Sequence, residues 1–290
     1  MTAPERSLTG IWDFTRTVAR GMVHNHCFHY AAGIAFRATL ALFPLAIALL
    51  VTLSLLGAGH RAGEVVGAVG RTDAVPNRTT QALRSQLDEL EAPGPGRIVG
   101  GAVALALALW SGAAAFRTVM TALNEALGID DPRPLRRRFA VSCLLAVVTA
   151  VLALAATLLV AVGPEIGDRI RDIPGRSGGW FIAWRIVRWP LVLALVLAWL
   201  SITYAWGPGE HRRARAVTAG KLVAFVGWVL FALAFSWYTD EVGESGSLYG
   251  VFAGLVALQL YVYWSSLIVL LGAQVDCALR DPLPRSDRLR

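Results

Sequence analysis

Residues 245–275, SGSLYGVFAGLVALQLYVYWSSLIVLLGAQV, form a stretch of 31 residues without Asp, Glu, Lys or Arg. A helix of about 20 apolar residues crosses about 30 Å of hydrocarbon, so this stretch is long enough to span a bilayer. One such stretch also fits a buried helix of a soluble protein, but six do not. The five other charge-free runs, of 18 to 26 residues, are Ala38–His60, Ile98–Phe116, Phe139–Pro164, Trp189–Gly209 and Leu222–Thr239.

The composition indicates the same class of protein. Of the 290 residues, 56% are hydrophobic and 16% are charged, whereas soluble domains carry about 25% charged residues. Lipid offers no water to open backbone groups, so each run is expected to be a helix. We therefore predict an all-α polytopic membrane bundle of six transmembrane helices, near residues 31–56, 98–116, 139–163, 181–206, 216–238 and 249–275.

Arginines in the connections predict the orientation of this bundle. The side that holds both termini and the second and fourth loops carries fifteen arginines, and the opposite side carries eight. Positive residues remain on the cytoplasmic side, so both termini are expected to be cytoplasmic. The strongest single anchor is the triplet Arg136–Arg138, which directly precedes the third predicted helix.

Residues 1–30 are predicted to form a cytoplasmic interfacial segment ahead of the transmembrane domain at 31–279. Ile11, Phe14, Val18 and Met22 recur at spacings of three and four residues, which places them on one helical face. Two alternatives remain open for this helix. It lies on the inner leaflet, or it packs against the bundle.

Two further segments lie outside the predicted spans. The external loop at 57–97 carries Leu83, Leu87 and Leu90 on one face, which indicates a short amphipathic helix that ends before Pro93 and Pro95. Residues 280–290 form a basic cytoplasmic tail. The bilayer is therefore the expected partner, with anionic lipid headgroups as a candidate ligand of the basic side.

Polar residues within the predicted spans are the candidate functional residues. Arg37 would lie about 9 Å inside a helix that starts near residue 31, and Asp276 lies at the same end of the last helix. We hypothesise an Arg37–Asp276 ion pair near Gln274; the alternative is that Arg37 extends to the headgroups. Gln259 lies deep in the last run, where it lines a cavity or forms an interhelical hydrogen bond.

Other local features bear on structure more than on chemistry. Pro44 removes a backbone donor and predicts a kink in the first span. The spacing of Gly250 and Gly254 would allow a close helix approach. His24, His26, Cys27 and His29 match no zinc-binding spacing, so no metal site and no cofactor are predicted.

Three blocks of the sequence resemble the BrkB/YihY family of bacterial inner-membrane proteins. They are YAAGIAFRATLALFPL at 30–45, ALNE at 122–125, which contains Asn124, and the segment at 247–279, which begins around Tyr249 and Gly250 and ends around Gly272. The resemblance implies six transmembrane helices with both termini inside, in a multi-pass protein of the bacterial cytoplasmic membrane. The family commonly has an aromatic residue at position 37, an acid at 274 and Asn at 276, where this chain has Arg37, Gln274 and Asp276.

Together these features favour a transporter or exporter of a small or lipid-like solute. The alternative is an envelope protein that binds lipid or organises membrane partners without transport. A cavity lined by Arg37, Gln259 and Gln274 would favour transport, and a solidly packed core would favour the alternative. The chain has no P-loop, nucleophile elbow or His-Glu-x-x-His motif, so neither an enzyme nor a nucleic-acid-binding protein is expected.

Overall fold

The computed structural model describes residues 3–55, 95–161, 178–209, 218–243 and 250–280, and these residues contain seven α-helices. The predicted external helix near Leu83, the position of Tyr249 and most of the basic tail lie outside the described residues. The seven helices are α1 (Ala3–His24), α2 (Cys27–Leu55), α3 (Pro95–Leu127), α4 (Leu135–Ala161), α5 (Gly178–Trp206), α6 (Ala219–Gly243) and α7 (Gly250–Arg280).

Five of these helices are long and apolar enough to cross a membrane, and the all-α class predicted from the sequence is confirmed. Their apolar segments are Val99–Leu127, Leu135–Thr157, Ile186–Trp206, Ala219–Thr239 and Gly254–Leu279. The remaining predicted span coincides with α2, a helix of 29 residues that continues through Pro44. The count of six spans, the kink at Pro44 and the orientation of the termini stay predictions.

Helix α3 is longer than the predicted span, which stopped at residue 116. It continues to Leu127 because Arg117 and Glu125 are compatible with a helix that leaves the hydrocarbon region. Its end is a Schellman motif: Gly128 has a φ of 61°, its N–H donates to the Glu125 carbonyl, and the Ile129 N–H donates to the Asn124 carbonyl. A helix of 33 residues is about 50 Å long, so α3 is longer than the bilayer core by about 20 Å, which is between three and four turns.

Helix α3 contacts α2, α4 and α7, and it is the most buried of the five apolar segments. Helix α7 contacts α2, α3 and α6, and it also receives α1. The second half of α1 therefore packs against the bundle, where Val18 and Met22 are buried. This was one of the two alternatives for this helix. Phe14 is half-buried on the same face.

The main hydrophobic core lies at one end of the bundle. We call this the inner end, because the sequence predicts that it faces the cytoplasm; it contains the C-terminal ends of α3, α5 and α7 and the N-terminal ends of α2 and α6. Among the described side chains of α4 to α7, every buried one lies toward this end. Its largest fully buried members include Met120, Leu123, Leu145, Leu200 and Leu270.

Two glycines allow α6 and α7 to cross closely at the inner end. A Cβ atom on Gly272 would lie less than 3.0 Å from the Gly220 carbonyl oxygen, the Tyr204 hydroxyl and the Ala224 Cβ. A Cβ atom on Gly220 would in turn meet the Gly272 carbonyl and the Asp276 carboxylate. The predicted close approach at Gly254 is not what the structure has, since no described atom lies within 4 Å of a Cβ built there.

Substitution of Gly272 by Ala should destabilise the folded bundle, because the new methyl group would meet the Gly220 carbonyl and the Ala224 Cβ, neither of which can rotate away. Overpacking of this kind costs roughly 1–3 kcal/mol. Gly254→Ala is the matched control on the same helix and should leave stability unchanged or slightly raised. Thermal unfolding of both purified variants in the same detergent measures the difference. Equal melting temperatures would contradict the close crossing.

Candidate functional site

The end of α5 with residues 207–209 and the start of α6 with residue 218 lie in a buried polar site. Side chains from α3, the α3–α4 loop, α5 and α7 bind groups of these segments or of the helix ends beside them. We call this site the inner junction and define it by Asn124, Arg133, Tyr204 and Asp276 together with their partners. All four of these side chains are buried.

Asp276 caps the N-terminal end of α6. Its Oδ1 accepts a hydrogen bond of 2.8 Å from the Gly220 backbone N–H, and its Oδ2 accepts one of 2.6 Å from the Thr218 hydroxyl. The Thr218 Oγ1 itself accepts from the Lys221 N–H at 3.3 Å, as an N-cap residue does. A carboxylate at this position also compensates the positive end of the helix dipole. Asp276 therefore fixes the start of α6 against the end of α7.

Asn124 binds the segment that follows α5. Its Oδ1 accepts a hydrogen bond of 2.7 Å from the Gly209 backbone N–H. Gly209 has no room for a side chain, because a Cβ atom there would lie 2.7 Å from the Asp131 Cα. The amide nitrogen of Asn124 is buried and has no hydrogen-bond partner among the described residues.

Arg133 caps the C-terminal end of α5. Its Nη1 donates to the Trp206 carbonyl at 3.0 Å, and its Nη2 donates to the Pro208 carbonyl. Asp131 holds this loop in place: its Oδ1 accepts from the Arg133 backbone N–H at 3.1 Å, and its Oδ2 lies 2.9 Å from Arg138 Nε. Desolvation by burial lowers the pKa of Arg133 from its ordinary value, and the charge of Asp131 opposes this shift.

Tyr204 joins α5 to α7. Its hydroxyl donates to the Val269 carbonyl and lies beside Gly272, where a side chain would displace it. The Val269 carbonyl lies within α7 and can accept two hydrogen bonds, so the Tyr204 hydroxyl can donate to it without disrupting the helix. The close crossing of α6 and α7 and the attachment of α5 therefore depend on the same small residue.

Gln274 extends the site toward α1 and α2. It is buried, its Nε2 lies 3.7 Å from the Cys27 sulfur, and a Cβ atom on Gly21 would overlap its Oε1. Burial raises the pKa of the Cys27 thiol above its ordinary value, and the contact with Gln274 acts in the opposite direction. Gln274 thus packs three helix segments together at the inner end.

The other predicted site residues have separate surroundings. Gln259 accepts a hydrogen bond of 2.6 Å from the Thr39 hydroxyl, which is an interhelical contact between α7 and α2. Arg37 is exposed, and its Nη1 lies 3.4 Å from the Ala114 carbonyl oxygen on α3. The contacts described for Arg37 and for Asp276 therefore do not include the hypothesised ion pair between them.

Sequence reasoning identified part of the inner junction. It selected Asp276, Gln274, Asn124 and Gly272, which the structure places at the inner end. It missed Arg133, Thr218, Gly220 and Gly209. A usable signal was present for Thr218, because a threonine directly before an apolar helix is a favoured N-cap.

The inner junction uses its charged groups as helix caps. The carboxylates of Asp276 and Asp131 accept from backbone and side-chain donors of the protein itself. Within the described ranges, no group of three His, Cys, Asp or Glu side chains could hold a metal ion. The arrangement is suited to holding helix ends together, and to releasing them when these hydrogen bonds break.

Comparison with known proteins gives a family match over most of the chain. The family model described as "Virulence factor BrkB" matches residues 18–288. A protein of Bacillus subtilis (strain 168) named "Putative ribonuclease-like protein YfkH" is 29% identical over 182 residues, which are 61% of this chain and 65% of that protein. No solved structure matches the chain.

Two further relatives are named UPF0761 membrane proteins. The one from Aromatoleum aromaticum is 26% identical over 98% of this chain and 67% of its own length. The one from Methylibium petroleiphilum is 25% identical over 84% of this chain and 57% of its own length. The chain thus spans between 57% and 67% of the length of the three relatives.

Replacement of Asp276 by Ala should destabilise the inner junction, because it leaves the buried Gly220 N–H and the Thr218 hydroxyl without their acceptor. Each buried donor left unpaired costs about 1–3 kcal/mol. Asp276→Asn retains one acceptor oxygen and should lose less. Thermal unfolding in detergent measures both variants, with Glu125→Ala as the control because Glu125 is exposed at the same end. A melting temperature unchanged by Asp276→Ala would contradict the capping role.

Alkylation of Cys27 should report on the packing of Gln274. In a Cys143→Ser, Cys277→Ser background, the buried Cys27 thiol should react slowly with a soluble maleimide near neutral pH, because burial blocks access and its raised pKa lowers the thiolate fraction. Gln274→Ala should speed the reaction, whereas Gln259→Ala should not. Equal rates in all three proteins would show that Gln274 does not shield this thiol.

Proposed function

This chain belongs to the virulence factor BrkB family of membrane proteins, and we propose that it is a transporter or exporter of a small or lipid-like solute in the bacterial cytoplasmic membrane. The observation that carries the proposal is the inner junction. It joins the ends of α3, α5, α6 and α7 by hydrogen bonds that a separation of these helices would break. We infer that the structure represents a state closed toward the cytoplasm.

The distribution of burial along the helices supports a gate at the inner end. Buried side chains of α4 to α7 occur toward the inner end in the described residues, whereas the middle of the α6–α7 pair is held by aromatic contacts. The Phe235 ring lies 5.1 Å from that of Tyr261, and the Phe231 ring lies 6.4 Å from that of Trp264. These rings would serve as the pivot when the inner ends of α6 and α7 separate.

Unpaired polar atoms support a second conformation of the junction. The Asn124 amide nitrogen and the Thr203 hydroxyl are buried and make no hydrogen bond with any described residue. Each such group carries a desolvation cost of about 1–3 kcal/mol. A rearrangement that pairs or hydrates them would recover part of this free energy, which would offset the loss of the Asp276 and Arg133 contacts.

A second function remains a candidate because of one specific observation. Arg37, Gln259 and Gln274 have separate partners and do not form one polar lining. Such an arrangement favours the alternative, an envelope protein that binds lipid or organises membrane partners without transport. The two proposals differ in whether the inner junction opens, and this difference is measurable.

We propose that neither function involves enzymatic chemistry. The name of the Bacillus subtilis relative refers to a ribonuclease, but in the part of the chain that the structure describes, the Asp276 carboxylate caps a helix and the Asp131 carboxylate binds an arginine. A phosphodiesterase would need such groups directed at substrate. Purified protein incubated with single-stranded RNA should therefore leave it intact.

A reversible cross-link across the junction tests the gate. Thr218→Cys and Asp276→Cys, in a background with Cys143 and Cys277 replaced by Ser, place two thiols where hydroxyl and carboxylate now lie 2.6 Å apart. In liposomes containing fluorescent phospholipid analogues, dithionite quenching measures movement between leaflets. The cross-linked protein should be inactive, and reduction should restore movement at or above the rate of the native chain.

Thr218→Cys alone, treated with the same reagent, is the matched control and should stay active. Movement that is equal in cross-linked and reduced protein would contradict an opening at the inner junction. No movement in any protein, including the native chain, would contradict transport of a lipid-like solute and favour the alternative.

A further inference from the structure

Two arginines lie beside one turn of α3: Arg37 reaches it from α2, and Arg117 belongs to α3 itself. Arg37 extends from α2 until its Nη1 is 3.4 Å from the Ala114 carbonyl oxygen. The Arg117 guanidinium lies 5.8 Å from the Trp110 ring centroid and 5.5 Å from that of Phe139 on α4. A carbonyl oxygen points along the helix toward the residue four positions ahead, here Thr118, so the group bound by Arg37 lies within one residue of Arg117 along α3.

This turn of α3 faces away from the bundle interior. Trp110, Ala114 and Arg117 are separated by four and three residues and therefore share one stripe of the helix. Trp110 is 62% exposed. Leu123 lies on the opposite side of α3 from Ala114 and is fully buried in the core. The stripe thus faces the bilayer.

Both arginines also mark the boundary of the apolar runs. Arg37 directly precedes the charge-free run Ala38–His60, and Arg117 directly follows Ile98–Phe116. Because α2 and α3 pack against each other and Arg37 reaches the Ala114 carbonyl on α3, we expect both guanidinium groups to lie near the inner edge of the predicted hydrocarbon region. This is the depth of the lipid phosphates of that leaflet.

The described residues supply no carboxylate partner to this pair. Among the described residues, the ion pairs involve Asp131 with Arg133 and Arg138. Glu125 lies on the same stripe of α3, but eight residues place it about 12 Å beyond Arg117. A guanidinium at the edge of the hydrocarbon without an anion is costly, so an anion bound beside these two groups would lower the free energy of the folded protein.

We propose that Arg37 and Arg117 bind the phosphate of an anionic phospholipid of the inner leaflet. Guanidinium groups donate two parallel hydrogen bonds to phosphate oxygens, and two of them from opposite sides enclose the phosphate above Ala114. The exposed apolar stripe beside them, which includes Val103, Leu107 and Trp110, would contact the acyl chains. This occupant is a lipid rather than a soluble phosphate because the stripe continues into the hydrocarbon. The inference holds whether or not the chain transports a solute.

Native mass spectrometry of the full chain tests this site. The protein is purified in detergent with equal amounts of phosphatidylglycerol and phosphatidylethanolamine, and the ratio of bound lipids is measured. The double variant R37Q/R117Q should reduce the bound phosphatidylglycerol relative to phosphatidylethanolamine by about tenfold, since the loss of about 1.4 kcal/mol corresponds to a factor of ten. The variant R37K/R117K, which keeps the charge, should retain part of the preference.

The matched control removes two arginines elsewhere. Arg136 and Arg137 are exposed at the start of α4, so R136Q/R137Q removes the same charge and should change the lipid ratio by less than about twofold. Equal losses in the two double variants, or no loss in R37Q/R117Q, would overturn the proposal. Full displacement of the lipid by inorganic phosphate would also overturn it, in favour of a soluble ligand. Melting temperatures close to that of the native chain establish that both variants are folded.

Discussion

Helix ends within or beside a membrane carry backbone groups that the helix itself cannot pair, and this constraint determines the inner end of the protein. The first N–H groups and the last carbonyls of a helix need partners from elsewhere, and hydrocarbon supplies none. Here Arg133 binds the carbonyl of Trp206, the last residue of α5, and that of Pro208 just beyond it. Asp276 binds the N–H of Gly220, the second residue of α6, together with the N-cap residue Thr218. Each helix end is thus completed by a side chain of another segment, which couples the helices to one another.

The same constraint accounts for the uneven packing of the bundle. Polar capping requires close approach, and Gly220 and Gly272 provide it by removing side chains from the crossing of α6 and α7. Farther along the helices, exposed apolar side chains are compatible with lipid and need no specific protein partner. The specific contacts that stabilise the fold are therefore concentrated at the inner end. A conformational change there would break the largest number of these contacts. The outward arginines of α2 and α3 lie at the edge of this region, where protein contacts give way to lipid contacts.

Length and apolarity were sufficient to predict the helices, because spanning a bilayer imposes both on every segment. They were not sufficient for the end of α3, because a helix that leaves the membrane regains charged residues such as Arg117 and Glu125 without ending. Selection of polar residues in apolar runs found Asp276 and Gln274, but it paired Asp276 with Arg37. The hydrogen-bond donors to Asp276 are a backbone N–H and a threonine hydroxyl, and neither is recognisable in a sequence as the partner of an acid. Arg133 was overlooked for a related reason, since it lies in a loop among several arginines and only the fold directs it at the end of α5.

The closed gate and the lipid site both depend on the inner junction facing the cytoplasm. A cysteine in place of the exposed Glu125, with Cys143 and Cys277 replaced by Ser, places a reactive thiol beside Asn124. A membrane-impermeant maleimide should label it in inverted vesicles and leave it unlabelled in intact spheroplasts. A cysteine in place of Arg84, in the predicted external loop, should give the opposite pattern. Labelling of the residue 125 thiol in intact spheroplasts would contradict the account.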